Sequence, residues 1–297
     1  MASECHQASD TLQGGGWLLA KTPWIQDKQQ RVFIVTGSTS GIGKCLVGIL
    51  YGPNAEVYMA DRSHEKATVV SSELRANHPE SKGQLVYLHL DLNDLSSVKK
   101  SAEEFLAKEE KLHMLFNNTG IMAPPEGIKT TQGYELQLGI NAIAPFPFTK
   151  PLMLTRLSTA KSSAVGDVRV VWASSSFAGY CAPDGGVDIQ NLDYRVKRHD
   201  WVKYGIREAA CILYSVESAR RYGQDGISVS LDPGVLKTKL LTNTGWLLVA
   251  VKPIEHDPIY GAYTQVGPWG RIQRLRGGIN MACRRVEDGG TGNAKDF

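Results

Sequence analysis

Cysteine is scarce and scattered in this chain. Cys5, Cys45, Cys181, Cys211 and Cys283 form no CxxC pair and join no histidine cluster at metal-ligand spacing. That excludes a thiolate zinc module and gives no disulfide framework, so reduced thiols in a cytoplasmic protein without a bound metal are expected. Charge of one sign is lacking too: 33 Lys and Arg against 30 Asp and Glu, interspersed, leave a net +3 and no basic stripe for nucleic acid. Long hydrophobic runs are absent. The longest apolar patch, Gly245-Trp246-Leu247-Leu248-Val249-Ala250-Val251, is far too short to span a bilayer and is expected to be a substrate lid within about residues 240–260. Residues 1–30 carry Gly14-Gly15-Gly16 and mixed polar residues but no apolar core of signal-peptide length, and read as an N-terminal tail.

What remains is a chain of 297 residues, 42% hydrophobic, with enough apolar material for one sizeable α/β domain over 31–297. Its most informative stretch is Val32-Phe33-Ile34-Val35-Thr36-Gly37-Ser38-Thr39-Ser40-Gly41-Ile42-Gly43. A β-branched apolar run is what a parallel strand buried on both faces requires, and Gly37, Gly41 and Gly43 remove side chains where the backbone turns tightly and approaches phosphate. The helix that follows aims unpaired N–H groups at the anion, as a dinucleotide diphosphate would need. Strand-like runs near 32–36, 56–60, 85–90, 112–116, 168–173 and 227–231 alternate with helix-length segments near 42–51, 64–77, 94–109, 133–157 and 203–222. That alternation is the βαβ pattern of a doubly wound parallel sheet. The segment 177–200, rich in Gly, Asp and Pro, is long for a connector and is expected to shape a substrate pocket.

Further positions fall into one order. Leu90-Asp91-Leu92, Asn117-Asn118-Thr119-Gly120, Asn141, Ser174-Ser175-Ser176 and Pro233-Gly234 with Thr238 follow the glycine turn. On these motifs the sequence resembles the short-chain dehydrogenase/reductase family over roughly residues 30–240, and within it the fungal retinol-dehydrogenase-like branch. The resemblance implies a Rossmann-type sheet in strand order 3-2-1-4-5-6 and an NAD(P) cofactor. It places Gly37, Ser38, Ser40, Gly41, Ile42 and Gly43 at the diphosphate, and Asp91 and Leu92 with Asn118 and Gly120 around the adenine. Pro233, Gly234 and Thr238 fall at the nicotinamide carboxamide. Asn141 supports a proton relay, Ser175 bonds the substrate carbonyl, and Tyr204 exchanges the proton beside the nicotinamide. Strand register favours Ser175 for the serine role, whereas counting back from Gly179 favours Ser176. His199 beside Asp200 reads as a solvated loop residue.

Two features leave alternatives open. At the end of the second strand, Asp61 would accept bonds from both adenosine ribose hydroxyls and favour NAD, whereas Arg62, assisted by Lys44, would pair with the 2′-phosphate of NADP. At the catalytic motif, Tyr204-Gly205-Ile206-Arg207-Glu208 carries glutamate where the family has the lysine of YxxxK. A carboxylate there pushes the phenol upward from about 10 and weakens alcohol oxidation more than carbonyl reduction. Arg207 and Lys203, each about 100° or more around the helix from position 208, are not expected to replace the lysine. The chain also runs from Gln265 almost directly to Pro268-Trp269-Gly270-Arg271, shorter than in that branch, which predicts a truncated last edge. The expected reaction interconverts a carbonyl and a secondary alcohol on an apolar small molecule in fungal specialised metabolism, in a homodimer or homotetramer. The rivals are non-redox chemistry in the same fold (isomerase, epimerase, cyclase or dehydratase) and a catalytically inactive cofactor-binding partner.

Overall fold

The computed structural model describes residues 30–164, 166–222, 227–242, 244 and 252–267. Six parallel strands, β1 (Val32–Thr36), β2 (Glu56–Asp61), β3 (Gln84–His89), β4 (Met114–Asn117), β5 (Arg169–Ala173) and β6 (Ile227–Leu231), make one sheet in the order β3-β2-β1-β4-β5-β6. The order reverses at β1, so the β1–β4 pair is the topological switch point where α/β sheets open a crevice at their carboxyl ends.

The strands sort their side chains by parity. Phe33, Val35, Val57, Met59, Phe116 and Val171 face one layer, where they meet α1 (Gly41–Tyr51), α2 (His64–Asn77) and α7 (Pro258–Val266) through Leu46, Leu50, Val70, Leu74 and Ala262. Ile34, Tyr58, Leu115, Val170 and Trp172 face the other. There they meet α3 (Leu95–Lys108), α4 (Pro145–Lys161) and α6 (Asp200–Tyr222) through Val98, Phe105, Phe148, Leu152 and Cys211. Burial of both faces explains why the strands read as continuous apolar runs.

Three expectations are corrected. The helix expected over 133–157 is broken: a short turn at Leu136–Leu138 passes into a π-helical turn at Gly139–Ile143 before α4 begins at Pro145. Proline at that first turn is tolerated because its missing N–H has no intrahelical partner anyway. The expected loop over 177–200 opens instead in the helix α5 (Phe177–Cys181) and holds a 3-10 turn at Ile189–Asn191. The helix expected from 203 begins at Asp200. Of the lid expected around 240–260, the described part holds 3-10 turns at Lys239–Leu241 and Lys252–Ile254 and the start of α7, while residues 243 and 245–251, the N-terminal tail up to residue 29 and the shortened segment at 268–271 lie outside the described residues.

Candidate active site

A cleft of about 820 Å³ runs along the carboxyl edge of the sheet. Its floor is the turn between β1 and α1. Gly37 and Gly41 hold left-handed backbone, with φ of +67° and +51°. A Cβ on Gly37 would meet Thr119 Oγ1 at 3.0 Å, and one on Gly43 would lie 2.0 Å from the Gly37 carbonyl oxygen. Gly43 therefore lets helix and strand touch. It does not line the cleft, and neither does Ser38, which is fully buried. Ser40, the N-cap of α1, makes no side-chain capping bond, so the first-turn N–H donors face the cleft without that partner.

Hydrogen bonds zip the switch point together beneath this turn. Thr36 Oγ1 donates to the Phe116 carbonyl at 3.1 Å and accepts from the N–H groups of Asn118 and Thr119 at 2.9 and 3.0 Å. Asn118 Nδ2 donates to the Thr36 carbonyl at 3.1 Å, while its Oδ1 accepts from Gln265 Nε2 of α7 at 2.8 Å. Asn118, Thr119 and Gly120 thus form one wall, with Asp91 and Leu92 beyond them. Asp91 is itself fixed, its Oδ1 accepting from the Asn93 N–H at 2.9 Å.

At the second strand's end Asp61, Arg62 and Lys66 all line the cleft. The Asp61 carboxylate is engaged within the chain: Thr39 Oγ1 donates to it at 2.8 Å and the Ser63 N–H at 3.2 Å. Lys44, expected to assist Arg62, does not line the cleft; its ammonium is paired with Glu73 on α2. Lys66, in the first turn of α2, does line it, and nothing in the sequence but its charge points there.

Toward the far end stand Ser175, Phe177, Tyr204, Arg207, Glu208 and Asp232. The serine triplet diverges. Ser174 and Ser175 both line the cleft, Ser174 with its hydroxyl spent on the Glu208 carbonyl at 2.9 Å, and the Ser176 N–H donates to Asp232 Oδ2 at 2.8 Å without lining it. Pro233, Gly234 and Thr238 face the glycine turn from the β6 side, and the Thr238 methyl would lie 3.3 Å from a Cβ on Gly41. Asn141 sits behind the cleft in the π-helical turn. Its Oδ1 accepts from the Ile121 N–H at 2.9 Å and its Nδ2 donates to the Ile121 carbonyl at 2.7 Å, a two-point clamp on the loop after β4.

Tyr204 lies edge-on to Phe177, with centroids 5.6 Å apart. Burial, and secondarily the Glu208 carboxylate, hold its phenol above the ordinary tyrosine range. Glu208 is 1% exposed, and burial raises its carboxyl above the usual carboxylate range against the opposing pull of Arg207. Arg207, not expected to replace the lysine, lines the cleft: its guanidinium caps the Tyr204 ring at 4.4 Å and pairs with Glu208. Lys203 does stay out, its Nζ 3.2 Å from Asp200. His199 is exposed and outside the cleft.

A glycine turn opening a helix at the switch point of a parallel sheet, with a serine and a tyrosine on the far rim, defines a Rossmann-type α/β protein. The family model of short chain dehydrogenases matches residues 31–182. A short-chain dehydrogenase/reductase of Phomopsis amygdali is 44% identical over 92% of this chain and 89% of its own length. The short-chain dehydrogenase/reductase pkfC of Emericella nidulans is 48% identical over 82% and 78%. This chain belongs to the short-chain dehydrogenase/reductase family. Among solved structures, one from Mycobacterium paratuberculosis superposes with a TM-score of 0.60 at 26% identity, over 82% of this chain and 79% of its own. A short-chain dehydrogenase from Sphingobium yanoikuyae in complex with NADPH gives 0.56 at 17%, over 72% and 75%. Among the described residues no helix is long and apolar enough to cross a membrane.

Proposed function

We propose that the protein is an NADPH-dependent reductase that converts a carbonyl to a secondary alcohol on an apolar small molecule of fungal specialised metabolism. The observation that carries this reading is the pairing of Ser175 and Tyr204 on one rim of a cleft whose other end is an uncapped, glycine-lined helix N-terminus. The residues present fit a dinucleotide: the Gly37 and Gly41 backbone leaves room for a diphosphate, and the first turn of α1 supplies its donors. Asp91, Leu92, Asn118 and Gly120 would flank the adenine, and Pro233, Gly234 and Thr238 the carboxamide. Arg62 and Lys66 beside an Asp61 already engaged by its own chain favour a 2′-phosphate over a bare ribose.

When bound, the nicotinamide supplies the hydride. Ser175 holds the carbonyl oxygen, and Tyr204, kept protonated by burial, donates the proton to it. Asn141 spends its amide on Ile121 and so acts by positioning the loop that walls the site. Ile121, Met122, Ile128 and Phe177 line the cleft and support an apolar substrate. Because the phenol titrates above its ordinary value, the reduction rate is expected to stay flat up to about pH 9, while the reverse oxidation, which needs phenolate, rises with pH.

The test is stoichiometry. A panel of apolar ketones should consume NADPH mole for mole with alcohol formed. Turnover without loss of NADPH absorbance would replace this reading with an isomerase, epimerase, cyclase or dehydratase, and NADPH binding with no turnover would make the chain an inactive cofactor-binding partner.

A further inference from the structure

No lysine follows Tyr204 at four residues, and the fold fills the neighbourhood of that phenol in another way. On an α-helix, residue i+3 falls about 60° to one side of residue i and residue i+4 about 40° to the other. Tyr204, Arg207, Glu208 and Cys211 therefore share one stripe of α6, and all four are buried. The guanidinium carbon of Arg207 is 4.4 Å from the centroid of the Tyr204 ring. Its Nη1 would lie 3.1 Å from a Cβ on Gly120, and its Nη2 meets the Glu208 carboxylate. A cation over an aromatic face is drawn by the ring's quadrupole, and it favours the ring that carries a full negative charge still more.

We infer that Arg207 is the cationic partner of the Tyr204 phenol in this protein, supplied one position ahead of the family's lysine, and that Glu208 is the positioning residue that holds the guanidinium over the ring. This rests on the carbonyl-reductase reading of the site. A guanidinium that is 5% exposed needs a carboxylate beside it, and Glu208 at 1% exposure is placed to meet that need. Arg207 Nε makes no hydrogen bond, and the Glu208 carboxylate also interacts with the Tyr204 phenol, raising its pKa where the guanidinium lowers it. Lys203 cannot compete, being held by Asp200 and lying over the Tyr194 ring. The remaining titratable groups around the pair are Cys211, one turn on, and Asp232 after β6. The Asp232 carboxylate is tied to the N–H groups of Ser176 and Gly234.

The experiment installs a fluorinated tyrosine at position 204 of the full chain, so that its ionisation falls where the fold survives, and follows it by fluorine NMR. Arg207→Met should raise the titration midpoint by about one pH unit or more, and Arg207→Lys should recover at least half of that. Glu208→Gln should lower the midpoint, because the amide oxygen still accepts from the guanidinium while its charge is gone. A midpoint unmoved by Arg207→Met, or one that Glu208→Gln leaves in place or raises, overturns the assignment. Should Arg207→Met fail to fold, Glu208→Gln and Arg207→Lys decide the matter. Wild-type NADPH consumption, measured separately, distinguishes failure of the reductase reading, since the titration needs no turnover.

Discussion

Gly43 carries more of this fold than its absence from the cleft wall suggests. A methyl there would strike the Gly37 carbonyl oxygen at 2.0 Å and Asn118 Nδ2 at 2.9 Å. Gly43→Ala must then push α1 off β1, and a loss of about 2–4 kcal/mol in denaturant unfolding, with weakened NADPH binding, is expected. At Arg62 the change should be chemical and not structural. Arg62→Ala is expected to raise the Kd for NADPH roughly tenfold while leaving NADH binding nearly unchanged, measured by nucleotide fluorescence titration. His113 sets a pH dependence of its own. It is 5% exposed, its Nδ1 accepts from the Val32 N–H at 3.0 Å, and burial pushes its pKa down to about 4. The unfolded chain therefore binds the extra proton first as pH falls. The contribution is complete above about pH 6.5 and drains away toward pH 4, by up to about 3 kcal/mol, which His113→Gln should flatten in pH-dependent unfolding curves.

Among the elements, the strands were legible because parallel strands covered on both faces must be apolar along their length, and Val32–Thr36 is buried at every position. The glycine turn was legible because left-handed backbone demands glycine, as Gly37 and Gly41 show. The π-helical turn at Gly139–Ile143 was not: it is held by the Asn141 clamp on Ile121, 20 residues away, which no local pattern reports. Lys44 departs from expectation for a related reason, since its partner Glu73 belongs to the next helix. The contact of Arg207 with the Tyr204 ring is not legible from its angle to position 208, because its relation to Tyr204 three residues earlier decides what it touches. The clamp yields an element-scale prediction. Asn141→Ala should leave most of the unfolding free energy intact but cut kcat by about tenfold or more, because Ile121 and the loop after β4 lose their anchor beside the reacting groups.

For the molecule as a whole, the ligand is expected to act as a brace. The cleft draws on segments after β1, β2, β3, β4, β5 and β6, so NADPH in a hundredfold excess over its Kd should add about 2.7 kcal/mol and raise the thermal midpoint accordingly. One link in that assembly joins side chains 147 residues apart. Gln265 is 1% exposed, reaches from α7 to the Asn118 side chain, and sits four residues beyond Gly261, whose bare Cα admits Leu236 and Ile42. The final described helix is thus a keystone set behind the nucleotide's socket. A chain cut just before Pro258 would keep every group that meets the diphosphate yet lose the wedge that holds them at their spacing.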